Sequence, residues 1–153
     1  MSDRAASFAE LPPARAARWA NFAKWDTVWF PQFLGLELEE VRQDYARMRL
    51  AYRTELDQPA GVVHGGVIAT MIDTVVVPAV GAGYDEPRQL FTIDIQLRFL
   101  APIIRDDIIA EGWIVQRGRS IVFCDAEVRS GSGTLAATGS LTYKVSSRVQ
   151  TFE

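Results

Sequence analysis

Val62-Val63-His64-Gly65-Gly66-Val67-Ile68-Ala69-Thr70-Met71-Ile72-Asp73-Thr74-Val75-Val76-Val77-Pro78-Ala79-Val80-Gly81-Ala82-Gly83 is the longest apolar stretch of the chain. It holds no Lys or Arg and one acid, Asp73. A stretch of this length raises the question of a membrane crossing. The central carboxylate, Pro78 and the glycines at both ends argue instead for a helix wrapped inside a folded core. Gly65-Gly66 would sit at its start. Pro78 predicts a kink or an early end, and Gly81-Ala82-Gly83 a stop.

On the C-terminal side the periodicity changes to two. Phe91, Ile93, Ile95, Leu97 and Phe99 alternate with Thr92, Asp94, Gln96 and Arg98, which predicts a strand with one wet face. Ala101-Pro102 ends it. Ile108 to Val115 reads as a strand, Gln116 to Arg119 as a turn and Ile121 to Arg129 as the next strand, with Val122, Cys124, Ala126 and Val128 on one face. Ser130-Gly131-Ser132-Gly133 is a hairpin turn. A last strand carries Leu135, Ala137, Gly139, Leu141, Tyr143 and Val145 on one face.

On the N-terminal side, Leu34 to Leu38 and Ala46 to Tyr52 alternate as strands around a turn at Gln43-Asp44, and Asp57-Gln58-Pro59-Ala60-Gly61 breaks the pattern. Further upstream, Trp19, Phe22, Trp29 and Phe33 recur at spacings of three, seven and four, with Trp25 widening the stripe. This predicts one amphipathic helix from Ala14, lying on the body of the domain or, with Arg15, Arg18 and Lys24 beside it, on a membrane surface. Residues 1–13 are expected to form a loose tail. The order is helix, two strands, buried helix, four strands. The absence of strand-helix alternation argues against a parallel nucleotide-binding sheet.

The chain has 153 residues, enough for one domain with a single core, and a formal net charge of -3. That balance offers no clustered positive surface for nucleic acid. No secretory signal is evident at the N-terminus, and the lone cysteine, Cys124, fits a reducing cytoplasm. One histidine and one cysteine are too few for a zinc site built from His and Cys clusters. No G-x-S-x-G elbow and no phosphate-binding glycine loop is present. Cys124 is expected to pack and not to react.

Two features point to chemistry. Asp73 stands among Ile68, Met71, Ile72, Val75 and Val76, where a carboxylate is expensive to desolvate without partners. It is either bonded structurally, to a strand or to Thr70, or kept for function. The turn Gly61-Val62-Val63-His64-Gly65-Gly66 would present free N–H groups at a helix start, a place for a developing oxyanion. An ordinary glycine-containing turn is the alternative.

Together, His64-Gly65-Gly66 and Asp73 resemble the H-G-G-x6-D motif of the hotdog-fold thioesterases of the phenylacetate-pathway (PaaI-like) group. Thr92 to Pro102, Gly118-Arg119, Gly133 to Ala136 and Thr142-Tyr143 are similar to that group's later strands, so that the resemblance covers residues 34–146. It implies an α+β hotdog fold, an antiparallel sheet wrapped around a long central helix, here with an extra N-terminal helix. The organisation would be a tail and amphipathic helix at 1–33, the hotdog domain at 34–147 and a C-terminal tail at 148–153.

The resemblance also implies a function, hydrolysis of acyl-CoA to a free acid and CoA in the cytoplasm. Asp73 would be general base or nucleophile, the Gly65 backbone N–H would polarise the thioester carbonyl, and His64 would orient the loop or the substrate. Gly66, Gln58 and Thr92 would contact the substrate. Relatives often carry Asn where this chain has Gln58, and a Thr92 hydroxyl would position water. No metal or redox cofactor is implied, no nucleic acid and no membrane span. The partner would be a second copy, in a dimer or tetramer with sites shared between subunits. The other readings are an acyl-thioester hydratase or dehydratase, and a non-catalytic acyl-CoA-binding sensor.

Overall fold

The computed structural model describes residues 4–150. Two short helices, α1 (Pro13–Trp19) and α2 (Phe30–Leu34), lead into the hairpin β1 (Leu36–Arg42) and β2 (Tyr45–Leu50). The long helix α3 (Gly65–Gly81) follows, then β3 (Arg88–Phe99), β4 (Ile108–Arg117), β5 (Ile121–Ser130) and β6 (Leu135–Val149). The six strands form one antiparallel sheet in the order β1-β2-β4-β5-β6-β3. The strand that follows the helix therefore crosses to the far edge and pairs with β6 alone.

The sheet curls around α3. Ile68, Met71, Ile72, Val75, Val76, Ala79 and Val80 of the helix are buried against Met48 and Leu50 of β2, Ile108 and Ala110 of β4, Val122, Cys124, Ala126 and Val128 of β5 and Leu141 of β6. Each large apolar side chain buried in this way contributes about 1.5–3 kcal/mol, and this burial holds a helix whose 17 residues would be marginal alone. Close approach is built into the sheet. A Cβ at Gly139 would lie 2.6 Å from Ile72 Cγ2, and one at Gly112 would lie 2.8 Å from Val76 Cγ1.

The helix runs on through Pro78 to Gly81, where an early end or kink was expected. Pro78 lacks only the N–H that would bond the Thr74 carbonyl, and burial of the last turn compensates. Arg117 donates to the Ala79 and Val80 carbonyls and Arg15 to that of Ala82, placing positive charge at the helix C-terminus. Asp44 Oδ1 in turn accepts from Arg117 at 2.5 Å. Burial of α3 is also incomplete. Gly66 is exposed and Ala69, Thr70, Asp73, Thr74 and Val77 are half-buried, so one stripe of the helix faces outward.

The N-terminal aromatic stripe is not one helix. Between α1 and α2 the chain turns at Ala23, in the left-handed region at φ 57°, and Pro31 lies in the first turn of α2, where a proline opens a new helix and does not continue the previous one. Trp19, Phe22 and Trp25 pack on the core end, with Trp19 against Gly81, whereas Trp29, Phe30 and Phe33 are exposed. Nor is the stretch before α1 loose. Arg4–Ser7 is a 3-10 turn, Ala5 is 2% exposed, the Phe8 ring stacks on Tyr45 at 5.1 Å, and Arg4 lies 3.7 Å over the Trp113 ring. Residues 1–3 lie outside the described residues, as do 151–153. Near the other terminus β6 continues to Val149, beyond the expected domain end at 147.

The largest departure from simple alternation is in β3. Ile95 stands opposite Leu141 and Thr92 opposite Tyr143, with a β-bulge at Ile93 between them. Residues opposite each other share a face, so Thr92 and Ile95 both point inward although their spacing is odd. The strand is also an edge, and Phe91, Ile93 and Phe99 are 54%, 56% and 56% exposed. The expected dry face of this strand is thus open.

Candidate active site

His64 starts α3. Its ring folds back so that Nδ1 accepts from the Gly66 N–H at 2.9 Å, a side-chain N-cap. With Nδ1 accepting, the proton of the neutral ring sits on Nε2, which points away from the cap. With the ring seated there, a Cβ at 66 would lie 2.9 Å from that nitrogen, so this cap requires glycine. The Gly66 N–H is therefore committed, whereas that of Gly65, the first helical residue, meets no acceptor among the described residues. The Phe99 ring lies 3.4 Å from where a Gly65 Cβ would be. Gln58 sits in the turn just before, closed by the Asp57–Val63 bridge and by Gln58 N–H donating to the Val62 carbonyl.

Asp73 lies more than two turns along the same helix, on its outward stripe. The Thr92 hydroxyl donates to Asp73 Oδ1 at 2.8 Å, and the Tyr143 hydroxyl reaches the same oxygen at 2.7 Å and the Asp73 carbonyl at 2.8 Å. No hydrogen bond reaches Oδ2 among the described residues. Burial, and then the charge of Asp73, push the Tyr143 phenol well above the usual tyrosine range, so that it stays a donor. Thr70, the other partner considered for Asp73, bonds the Gly66 carbonyl instead.

The six residues singled out from the sequence thus fall into two clusters. Gln58, His64, Gly65 and Gly66 gather at the helix start, and Asp73 and Thr92 meet further along. Asp73 lies eight residue steps along the α-helix from Gly65, a rise of about 12 Å.

Tyr143 was missed as a site residue, having been counted only among the inward positions of the last strand. A signal existed. A buried tyrosine needs a partner for its hydroxyl, and the buried helix carries a single acid. Cys124 is buried, and burial pushes its thiol up to about 12, which suits packing and not nucleophilic attack. Among the described residues no three His, Cys, Asp or Glu side chains gather in a way that could hold a metal ion. No helix among them is long and apolar enough to cross a membrane.

A family model of the thioesterase superfamily matches residues 60–137, just over half of the chain, and so spans the glycine turn, α3 and Asp73. The chain belongs to the thioesterase superfamily. A candidate esterase of Halobacterium salinarum is 32% identical to this superfamily member over 110 residues, 69% of this chain and 72% of that one. Among solved structures, the PaaI protein of the E. coli phenylacetic acid degradation operon matches with a TM-score of 0.80 at 15% identity, covering 90% of this chain and 97% of that one. Thioesterase HI1161 of Haemophilus influenzae matches at 0.76 and 23% identity, covering 83% and 89%. These likenesses establish a PaaI-like hotdog fold for the superfamily member. Its family places it with hydrolases of thioesterase type.

Proposed function

We propose that the protein hydrolyses acyl-CoA thioesters at a site formed between two copies of the chain. The observation that carries this reading is the split of the motif. An uncommitted N–H at Gly65 and a carboxylate with one uncommitted oxygen at Asp73 lie about 12 Å apart along one helix. A two-fold pairing across the open β3 edge would bring the Gly65 turn of one subunit to the Asp73 of the other, and would bury the exposed apolar residues of β3.

In such a site the Gly65 N–H, at the positive end of α3, polarises the thioester carbonyl and receives the charge of the tetrahedral intermediate. Asp73 takes the proton of an attacking water, or attacks the carbonyl itself to give an anhydride. Collapse expels the CoA thiolate, which takes up a proton; on the second route water then hydrolyses the anhydride, freeing the acid and restoring Asp73. His64 holds the turn, with Nε2–H free toward the substrate, Gln58 stands beside it, and Thr92 orients the carboxylate.

Thiol release from a panel of short, long and aromatic acyl-CoAs tests the activity. Hydration of an enoyl-CoA without thiol release would favour a hydratase, and binding without turnover a sensor. Asp73→Asn should fold, keep its size and lose at least about 10²-fold in kcat. Site sharing is tested by complementation between Asp73→Ala and Gly65→Pro. Proline deletes the donor, yet it is tolerated at the first helical position, and His64 already has the extended backbone that precedes proline (φ -62°, ψ 135°). Each homodimer should be nearly inactive. After joint unfolding and refolding about half the dimers are hybrids, each with one intact site, and roughly a quarter of wild-type activity returns. No recovery from hybrids verified by mass would mean that both residues act within one chain.

A further inference from the structure

We infer that Tyr143 is a positioning residue for Asp73, and that with Thr92 it clamps Oδ1 so that Oδ2 is the reacting oxygen. This rests on the reading of Asp73 as the base or nucleophile. The outer torsion of an aspartate is broad and nearly two-fold, so an untethered carboxylate presents either oxygen over a wide range of angles. Here two donors from neighbouring strands converge on one oxygen, Tyr143 at 2.7 Å from β6 and Thr92 at 2.8 Å from β3. The Tyr143 hydroxyl also lies 2.8 Å from the Asp73 backbone carbonyl, so its one proton is shared between that oxygen and Oδ1.

The division of labour follows from the hydrogen bonds. Two donors withdraw electron density from Oδ1 and occupy its lone pairs. Oδ2 keeps its lone pairs and belongs to a residue on the outward stripe of α3, between exposed Gly66 and half-buried Val77. The Tyr143 ring is buried, which fixes its hydroxyl within the core wall. The phenol stays protonated, as its raised pKa requires, so it never competes for the substrate's proton. The clamp works alike whether Oδ2 takes a proton from water or attacks the carbonyl.

The test is Tyr143→Phe, which keeps the ring and removes one oxygen, measured alone and on the Asp73→Asn background. The expected result is a kcat lower by about 10- to 100-fold with KM unchanged, as for a misaimed catalytic group. On the Asp73→Asn background the same change should have no further effect on kcat. An unchanged kcat in Tyr143→Phe, or an equal fractional loss on both backgrounds, would overturn the clamp. A fluorinated tyrosine at 143 changes the phenol's strength as a donor while preserving the ring, and should move kcat without moving KM. It decides the matter if the phenylalanine variant folds poorly, an unmoved kcat counting against the clamp. Full activity in folded Asp73→Asn would instead remove the reading of Asp73 itself, a separate outcome.

Discussion

The ring of His64 caps α3 through Nδ1 and the Gly66 N–H, and in the proposed site its Nε2 faces the substrate, two roles that substitution separates. Gly66→Ala puts a Cβ 2.9 Å from Nδ1, so the ring must leave the cap. Loss of such a cap costs about 1 kcal/mol. A lower melting temperature and a lower kcat are expected together, because the Gly65 N–H is aimed by the same turn. His64→Asn supplies another good cap, and should restore stability relative to His64→Ala. If it also restores kcat, the imidazole acts on the loop alone. Wild-type stability and turnover in Gly66→Ala would refute the coupling. These residues were legible in the sequence because glycine pairs and isolated acids are conspicuous in an apolar run. Tyr143 was not, because a tyrosine in a period-two pattern counts as one more apolar position until its hydroxyl is asked for a partner.

The helix α3 was legible from its length and the glycines at its ends, and the strands from their alternation. Two elements misled for one reason, namely that a spacing constrains a face only if the backbone stays regular. Trp19, Phe22, Trp29 and Phe33 satisfy a helical spacing, yet the chain breaks at Ala23, and only the first part of the stripe reaches the core. In β3 the unbroken alternation concealed the bulge at Ile93. The packing of α3 itself depends on small residues in the sheet. Gly139→Ala would set a Cβ 2.6 Å from Ile72 Cγ2, one residue before Asp73. Overpacking of this kind costs about 1–3 kcal/mol. A lower urea midpoint with an unchanged slope is expected, together with a drop in kcat as the helix shifts. A midpoint equal to wild type would show that the sheet yields at no cost.

Three protonated groups in the interior give the fold an alkaline limit. Cys124 ordinarily titrates near 9.0 and is held up to about 12 by burial, while Tyr45 and Tyr143 are raised above 10.0, each by burial first. For Tyr45 the hydrogen bond to Glu111, at 2.6 Å, adds to the shift. The unfolded chain releases these protons at lower pH than the folded one. The stabilisation is thus complete below about pH 9 and fades as pH rises through the folded values. Cys124 alone should account for about 2 kcal/mol by a pH of about 10.5. Urea midpoints should fall between pH 8 and that value, and fall less in Cys124→Ala. A flat profile in the wild type would contradict this account. The open β3 edge adds a second dependence. If two copies complete each site, specific activity should decline on dilution as the pair dissociates.

The bulge at Ile93 works as a phase shift in a two-stroke code. Every residue of β3 before it is read on the opposite face from the one that counting back from Ile95 would give. Were β3 to run through Ile93 without the bulge, each side chain would be unchanged in kind, yet Ile93 would stand opposite Tyr143 and Thr92 would turn outward. A frame error of one residue in this strand is therefore equivalent to replacing the hydroxyl at Asp73 by the branched alkyl side chain of Ile93. Comparing such proteins by residue identity alone would overlook it.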